Sequence, residues 1–207
     1  MPKRDQKWLD RHVKDPFVQK AQKDGYRTRA AYKLIGLDEK DHFFKKGMVV
    51  VDLGAAPGGW SQVAKKLVGD KGRVIGIDLL PMDPIEGVEF IQGDFREQEP
   101  YEKLLELTKN QPVDLVMSDL APNLSGNKSI DQPRMLHLLE LAQEFAQQSL
   151  RRGGTLLMKA FHGEGLEAYV KNLKKEYKIV KWRKPNASRA KSSEIYILAQ
   201  EFIGYND

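Results

Sequence analysis

The stretch Val49–Trp60, VVVDLGAAPGGW, constrains this chain most. An apolar run stops at Asp52, and Gly54, Gly58 and Gly59 follow before the next apolar periodicity. The pattern is a buried strand that turns through a glycine-rich loop into a helix, with Pro57 suited to the helix's first turn, where no backbone donor is needed. Such turns bring backbone close to a ligand at the carboxyl edge of a parallel sheet. The spacing Gly54-x-x-x-Gly58 is not the G-x-G-x-x-G of dinucleotide binders, and no phosphate-loop lysine follows. An acid at the strand end suits the amino group of an amino-acid-like ligand. S-adenosylmethionine therefore fits better than NAD, with another nucleotide or a purely structural turn as the alternatives.

Apolar runs and helical periodicities alternate along the rest of the chain. Strands are expected at Met48–Leu53, Arg73–Leu79, Val88–Gln92, Val113–Ser118, Thr155–Phe161, Lys178–Arg183 and Glu194–Phe202. Helices are expected at Gly59–Val68, Glu97–Asn110, Asp131–Leu150 (closed by Gly153-Gly154) and Glu164–Glu176. Ahead of the sheet, two helical stretches, Phe17–Lys23 and Thr28–Leu37, flank Gly25, with the Thr28 hydroxyl as a cap. Alternation of this kind predicts an α/β fold, a mostly parallel seven-stranded sheet with helices on both faces. The last two strands lack a helix between them, so one strand runs antiparallel. This is the layout of Rossmann-like class I methyltransferases, and 1–207 is read as one domain with a basic helical segment over about 1–40.

Four strands carry an acid toward one sheet edge: Asp52, Asp78, Asp94 and Asp119. Asp78 is placed to accept ribose hydroxyls, Asp94 to meet an adenine amino group, and Trp60 to pack on the ligand. Asp119 opens DLAPN, which lacks the aromatic of the amino-directed N/D-P-P-Y motif, so chemistry on a base amine is disfavoured. Lys159 follows an apolar run and either snorkels to solvent or is a partly buried functional amine. Glu194, at a strand start, would ordinarily be exposed.

The chain has 207 residues, no cysteine and a net charge of +5. Disulfides and thiolate metal sites are excluded, the four histidines lack metal-ligand spacing, and no metal is expected. No apolar run is long enough to span a membrane, and the N-terminus is too polar for a secretory signal. A cytoplasmic monomer is expected. Charge is polarised: residues 1–33 are net +6 and 171–191 net +8, whereas 34–170 are net −6. If folding brings the two basic segments together, they form a surface suited to nucleic-acid phosphates.

Lys33 in TRAAYKL, Asp119 in SDLAPN, Lys159 in LMKAF and Glu194 in SSEIYIL resemble the Lys-Asp-Lys-Glu tetrad of ribose 2′-O-methyltransferases. The chain as a whole, from about Trp8 to Phe202, resembles the FtsJ type, through VDLGAAPGGWSQ, DLLPMDPI, QGDFR, MSDLAPNLSG and KPNASRAKSSEIY. It departs mildly, with Thr28 where serine is common and His162 where glutamine is common. The resemblance implies S-adenosylmethionine bound around Gly58, Trp60, Asp78, Asp94 and Asp119, beside Asp52 and Gly54 of the loop. It implies transfer to a uridine 2′-hydroxyl of 23S rRNA in the peptidyl-transferase region of assembled large ribosomal subunits. Arg27, Arg29, Lys181, Arg183, Lys184, Arg189 and Lys191 would then hold the RNA backbone. A methyltransferase for transfer RNA or an RNA cap shares the tetrad, and a non-catalytic assembly factor or a small-molecule methyltransferase are the other readings.

Overall fold

The computed structural model describes residues 15–189 and 192–204. Two helices, α1 (Pro16–Asp24) and α2 (Ala31–Asp41), precede the sheet. There follow β1 (Val49–Leu53), α3 (Gly59–Val68), β2 (Arg73–Asp78), β3 (Val88–Gln92), α4 (Gln98–Thr108), β4 (Val113–Ser118), α5 (Lys128–Ser149), β5 (Leu150–Phe161), α6 (Leu166–Leu173), β6 (Tyr177–Arg183) and β7 (Glu194–Phe202). The sheet order is β3-β2-β1-β4-β5-β7-β6. β1 pairs parallel with β2 and β4, and β7 is antiparallel to both β5 and β6. The expected seven strands and the antiparallel strand are thus present.

Alternation along each strand divides the core in two. Val51, Ile75, Val116, Leu156 and Ile197 face α4, α5 and α6, through Leu104, Phe145 and Val170. Val50, Val74, Leu115, Leu157 and Leu198 face α2 and α3, through Leu34, Leu37, Val63 and Ala64. Strands covered on both sides need continuous apolar runs, and all five residues of β1 are buried.

Several boundaries differ from expectation, each for a local reason. The cap of α2 is Ala30, without a side-chain bond, and not Thr28. Thr28 instead lies against α3: a Cβ at Gly59 would collide with Thr28 Oγ1, so glycine allows this close approach. Pro57 does not open α3; its peptide bond with Ala56 is cis, and the helix starts two residues later. The helix α5 begins three residues early because Asn127 caps it by accepting from the Ser129 amide at 3.0 Å. Gly153 and Gly154 lie inside β5 and do not close α5. Pairing with β4 steps there from Val113–Leu150 to Leu115–Thr155, a bulge that Gly153 accommodates at φ 80°.

The helix α2 is held by its buried face. Leu34→Ala is expected to destabilise the fold by about 2–5 kcal/mol, since Leu34 is fully buried among α3 and the sheet. Urea unfolding monitored by circular dichroism checks this; a loss under 1 kcal/mol would mean that α2 is not docked as described.

Candidate active site

The strand order reverses between β1 and β4, and in open α/β sheets that is where ligands bind. The two loops that leave this point are tied together. The Asp119 amide donates to Leu53 O at 3.2 Å, and the Gly54 and Ala55 amides donate to Ile77 O at 2.9 and 3.1 Å. Gly54 and Gly58 have φ of 84° and 112°, conformations open to glycine. Beyond Asp119, the carboxylate of Asp131 gathers the Ser125 and Gly126 amides and the Ser125 hydroxyl, which fixes the 119–127 loop.

The four strand-end acids are not equivalent. Asp78 closes β2 and accepts from the Ala56 amide at 3.0 Å and the Leu80 amide at 2.8 Å, so it braces the glycine loop. Asp94 pairs with Arg96 at 2.6 Å, which holds its carboxyl below the usual range. Asp52 lies one position inside β1, fully buried. One of its oxygens accepts from Ser61 Oγ at 2.7 Å, and the other has no partner among the described residues. Burial pushes its pKa up to about 7, opposed by the Ser61 bond and helped by the charges of Asp119 and Asp78. A buried acceptor without a donor, next to a glycine loop and strand-end carboxylates, forms a set of acceptors that fits a ligand bearing an ammonium, vicinal hydroxyls and an amine. The Trp60 ring does not line this loop. It is 3% exposed, donates through Nε1 to Ala30 O at 2.9 Å and packs on Tyr196, so the expected stacking on a ligand is corrected to a core role.

Lys33, Asp119, Lys159 and Glu194 converge from four separate parts of the chain. Lys159, on β5, is only 8% exposed, so it does not snorkel. Its Nζ donates to Asp119 O at 2.5 Å and lies 3.2 Å from Asp119 Oδ1. Glu194 is 9% exposed, contrary to the usual strand-start glutamate. Its carboxylate lies 2.8 Å from Lys33 Nζ and accepts from Ser188 Oγ at 2.9 Å. Burial alone would raise the Glu194 pKa; the Lys33 and Ser188 bonds and the charge of Lys159 outweigh it and hold the carboxyl below its ordinary value. Tyr196 joins the two ion pairs. Its hydroxyl donates to Asp119 Oδ1 at 2.9 Å, and burial beside Asp119 and Glu194 keeps it protonated far above neutral pH.

The FtsJ-like methyltransferase family matches residues 26–202. The chain belongs to that family. A protein of Alkalilimnicola ehrlichii named ribosomal RNA large subunit methyltransferase E is 56% identical over 196 residues, covering 95% of this chain and 94% of that one. A Coxiella burnetii protein of the same name is 56% identical over 204 residues, covering 97% and 96%. Among solved structures, a Plasmodium falciparum chain described as a ribosomal RNA methyltransferase superposes with TM-score 0.79 at 35% identity, over 87% of this chain and all of that one. Aeropyrum pernix fibrillarin, solved with S-adenosyl-L-methionine, shares the fold with TM-score 0.59 at 19% identity, over 84% of this chain and 75% of that one.

Within this family fold, the basic residues expected to hold RNA are mostly engaged by the protein itself. Arg27 donates to Pro57 O, Asp83 O and Pro84 O at 3.0, 2.6 and 2.8 Å, a strut between the glycine loop and the loop after β2. Arg29 bonds Asp15 and Ala187 O. Lys181 and Arg183 both pair with Asp41, which lies well inside the fold and is held below its ordinary pKa, chiefly by Arg183. Lys184 donates to Ser192 O at 2.7 Å. Arg189 is exposed and 3.8 Å from Asp15, and Lys191 lies outside the described residues. The two basic segments do meet, since Arg29 reaches Ala187 and Ala187 packs on Ala21 and Tyr32. Their contact is built from these cations, which is why it exposes fewer of them than the net charge suggests.

Tyr196, Ser188 and Ser61 were not singled out from sequence. Tyr196 had a signal: Glu194 and Tyr196 are two apart on a strand and share a face, and Tyr196 is the cross-strand partner of Lys159. Ser188 and Ser61 act through side-chain bonds that no periodicity marks.

Two outcomes are expected. Arg27→Ala should weaken cofactor affinity by about tenfold or more, since it removes three charge-assisted bonds that shape the loop, with no change in the salt dependence of RNA binding. Isothermal titration with S-adenosylhomocysteine and a salt series read the two effects; a lowered salt slope with intact cofactor affinity would return Arg27 to the RNA surface. Asp52 has a folded pKa above its unfolded value, so its contribution to stability is full below about pH 4 and is lost as pH rises through about 7. Asp52→Asn should flatten the fall in Tm across that window, and parallel Tm–pH curves for the two proteins would contradict the burial.

Proposed function

We propose that this protein methylates a uridine ribose 2′-hydroxyl in the 23S rRNA of the large ribosomal subunit, with S-adenosylmethionine as methyl donor. The observation that carries this reading is the nearly buried Lys159 amine, held by Asp119 at the switch-point edge and faced by Lys33 and Glu194. Family membership and the names of the relatives support the substrate class. The cluster comes from one chain, so a monomer suffices, and a ribosomal substrate places the protein in the cytoplasm. Among the described residues no helix is long and apolar enough to cross a membrane, and no group of three or more potential metal ligands occurs.

Gly54, Gly58, Asp52, Asp78, Asp94 and Asp119 would hold the donor. When bound, it supplies a methyl group on a sulfonium, an electrophile that needs little activation. The acceptor is harder, because a ribose hydroxyl is a weak acid and its oxygen must lie in line with the methyl. Holding it there is worth up to about 7–11 kcal/mol in favourable cases. Lys159 serves as the base that takes the hydroxyl proton, or as the donor that aims the oxygen; a base adds about 10²–10⁴-fold. Asp119 fixes the Lys159 amine through both its carbonyl and its carboxylate. Lys33 and Glu194 position the ribose and set the field at that amine. Two cations against two carboxylates leave the cluster close to neutral, so an incoming phosphodiester meets no strong local repulsion.

Incubation with methyl-labelled S-adenosylmethionine and large subunits lacking the modification, followed by digestion to nucleosides, tests the proposal. Label is expected in 2′-O-methyluridine. Lys159→Ala should abolish turnover while cofactor binding survives. Label in a base-methylated nucleoside, or near-normal turnover of the variant, would overturn it.

A further inference from the structure

A groove of about 920 Å³ lies between the loop after β5, the exposed side of α6 and the end of β6, and the site described above does not use it. Its floor is aromatic. The Trp182 indole is 39% exposed and stacks on His162, with ring centroids 6.1 Å apart and planes 21° apart. Large apolar side chains this exposed are few in the described chain. Lys171 and Lys174 border the groove, both exposed, and their ammonium groups make no ion pair or hydrogen bond among the described residues. They contrast with Lys181 and Arg183, on the same side of the sequence, which pair with Asp41.

We infer that this groove binds a second nucleotide of the RNA substrate, its base stacked on Trp182 and its phosphate on Lys171 and Lys174. The inference rests on the RNA reading above. Bases of any identity stack on an exposed aromatic face, and neighbouring lysines hold the backbone without reading sequence. The pre-formed His162–Trp182 stack keeps the indole in place, which lowers the ordering cost of binding. Charge is distributed to suit a nucleotide in one orientation. Glu167, Lys171 and Lys174 recur at i, i+4 and i+7 and share one face of α6 and its end. With Glu164 and Glu167 at the loop end, phosphates belong at the lysine end and base N–H groups at the carboxylate end.

The groove is also coupled to the catalytic edge. The His162 amide donates to Ser193 O at 3.0 Å, and Phe161 pairs with Glu194 across β5 and β7. His162 is three residues beyond Lys159, about 10 Å along the strand. A strand of RNA whose ribose sits at Lys159 can therefore lay a neighbouring base on Trp182, around the sheet edge.

Tryptophan emission titrated with a uridine decanucleotide tests the groove directly. Emission of a Trp8→Phe variant, which keeps only Trp60 and Trp182, should be quenched and the quench largely lost in Trp8→Phe/Trp182→Phe, because the Trp60 ring is buried; an undiminished quench in the double variant overturns the inference. In the methylation assay, Trp182→Ala should raise KM for undermodified large subunits about tenfold with kcat and cofactor affinity unchanged, and Trp182→Phe should restore KM to within about twofold. An unaltered KM in Trp182→Ala also overturns it. The double variant Lys171→Ala/Lys174→Ala should lower the salt slope of RNA binding by about one to two. A parent with no activity on large subunits would overturn the proposed function, and the quenching experiment would still decide the groove.

Discussion

A strand buried on both faces can carry polar groups only near its ends, and that constraint arranges the whole site. β1, β2, β4 and β5 sit in the middle of a sheet covered by helices on both sides. Asp52, Asp78, Asp119 and Lys159 therefore fall within a residue or two of where those strands finish. Parallel pairing then sets the ends side by side, so residues far apart in the chain become neighbours without any direct bond between them. The Asp119 amide on Leu53 O is the point where this becomes specific, because it locks the loop after β4 to the loop after β1.

The antiparallel strand adds what a parallel sheet cannot. A parallel neighbour of β5 would bring its own carboxyl end to the site. β7 instead brings its start, and with it Glu194 opposite Phe161 and Tyr196 opposite Lys159. Because side chains alternate along a strand, Glu194 and Tyr196 face the same way, toward α2. Lys33 comes down from α2 to meet Glu194, and Leu34, one residue on, is buried against the sheet. The packing of α2 thus determines where the Lys33 charge sits. Tyr196 couples the halves: one hydroxyl bonds the carboxylate that holds Lys159 and lies against the carboxylate that holds Lys33.

Strand positions were legible in the sequence because apolar runs and their terminal acids are local signals. Val88–Gln92, Val113–Ser118 and Glu194–Phe202 have in the structure the boundaries that their apolar runs predict. The errors share a cause: each turned on a partner outside the local window. Gly153-Gly154 look like a helix stop until β4 is seen to skip past them. Thr28 looks like a cap until α3 is placed beneath it. Trp60 looks like a ligand platform until Tyr196 and Ala30 claim both its face and its nitrogen. The tetrad was found through resemblance, because nothing in the spacing of Lys33, Asp119, Lys159 and Glu194 says that they meet.

The same limit explains the basic surface. Net charge by segment counts a cation whether or not an anion lies against it, and most of the carboxylates that neutralise these cations come from other segments. Asp41, in the acidic middle of the chain, takes both Lys181 and Arg183; Asp15 takes Arg29 and lies near Arg189; Glu201, in the acidic tail, takes Lys178. A pair largely removed from water gains little by exchanging its carboxylate for a phosphate, since the bond it breaks resembles the one it makes. A lysine with no anion against it faces no such exchange, and the counterions that it releases on binding favour the complex. Lys171, Lys174 and Lys175 make no ion pair among the described residues, and they lie on one short stretch at the end of α6. Of these, Lys171 and Lys174 border the Trp182 groove, where the phosphate of the proposed nucleotide would meet them without displacing a carboxylate already paired to them.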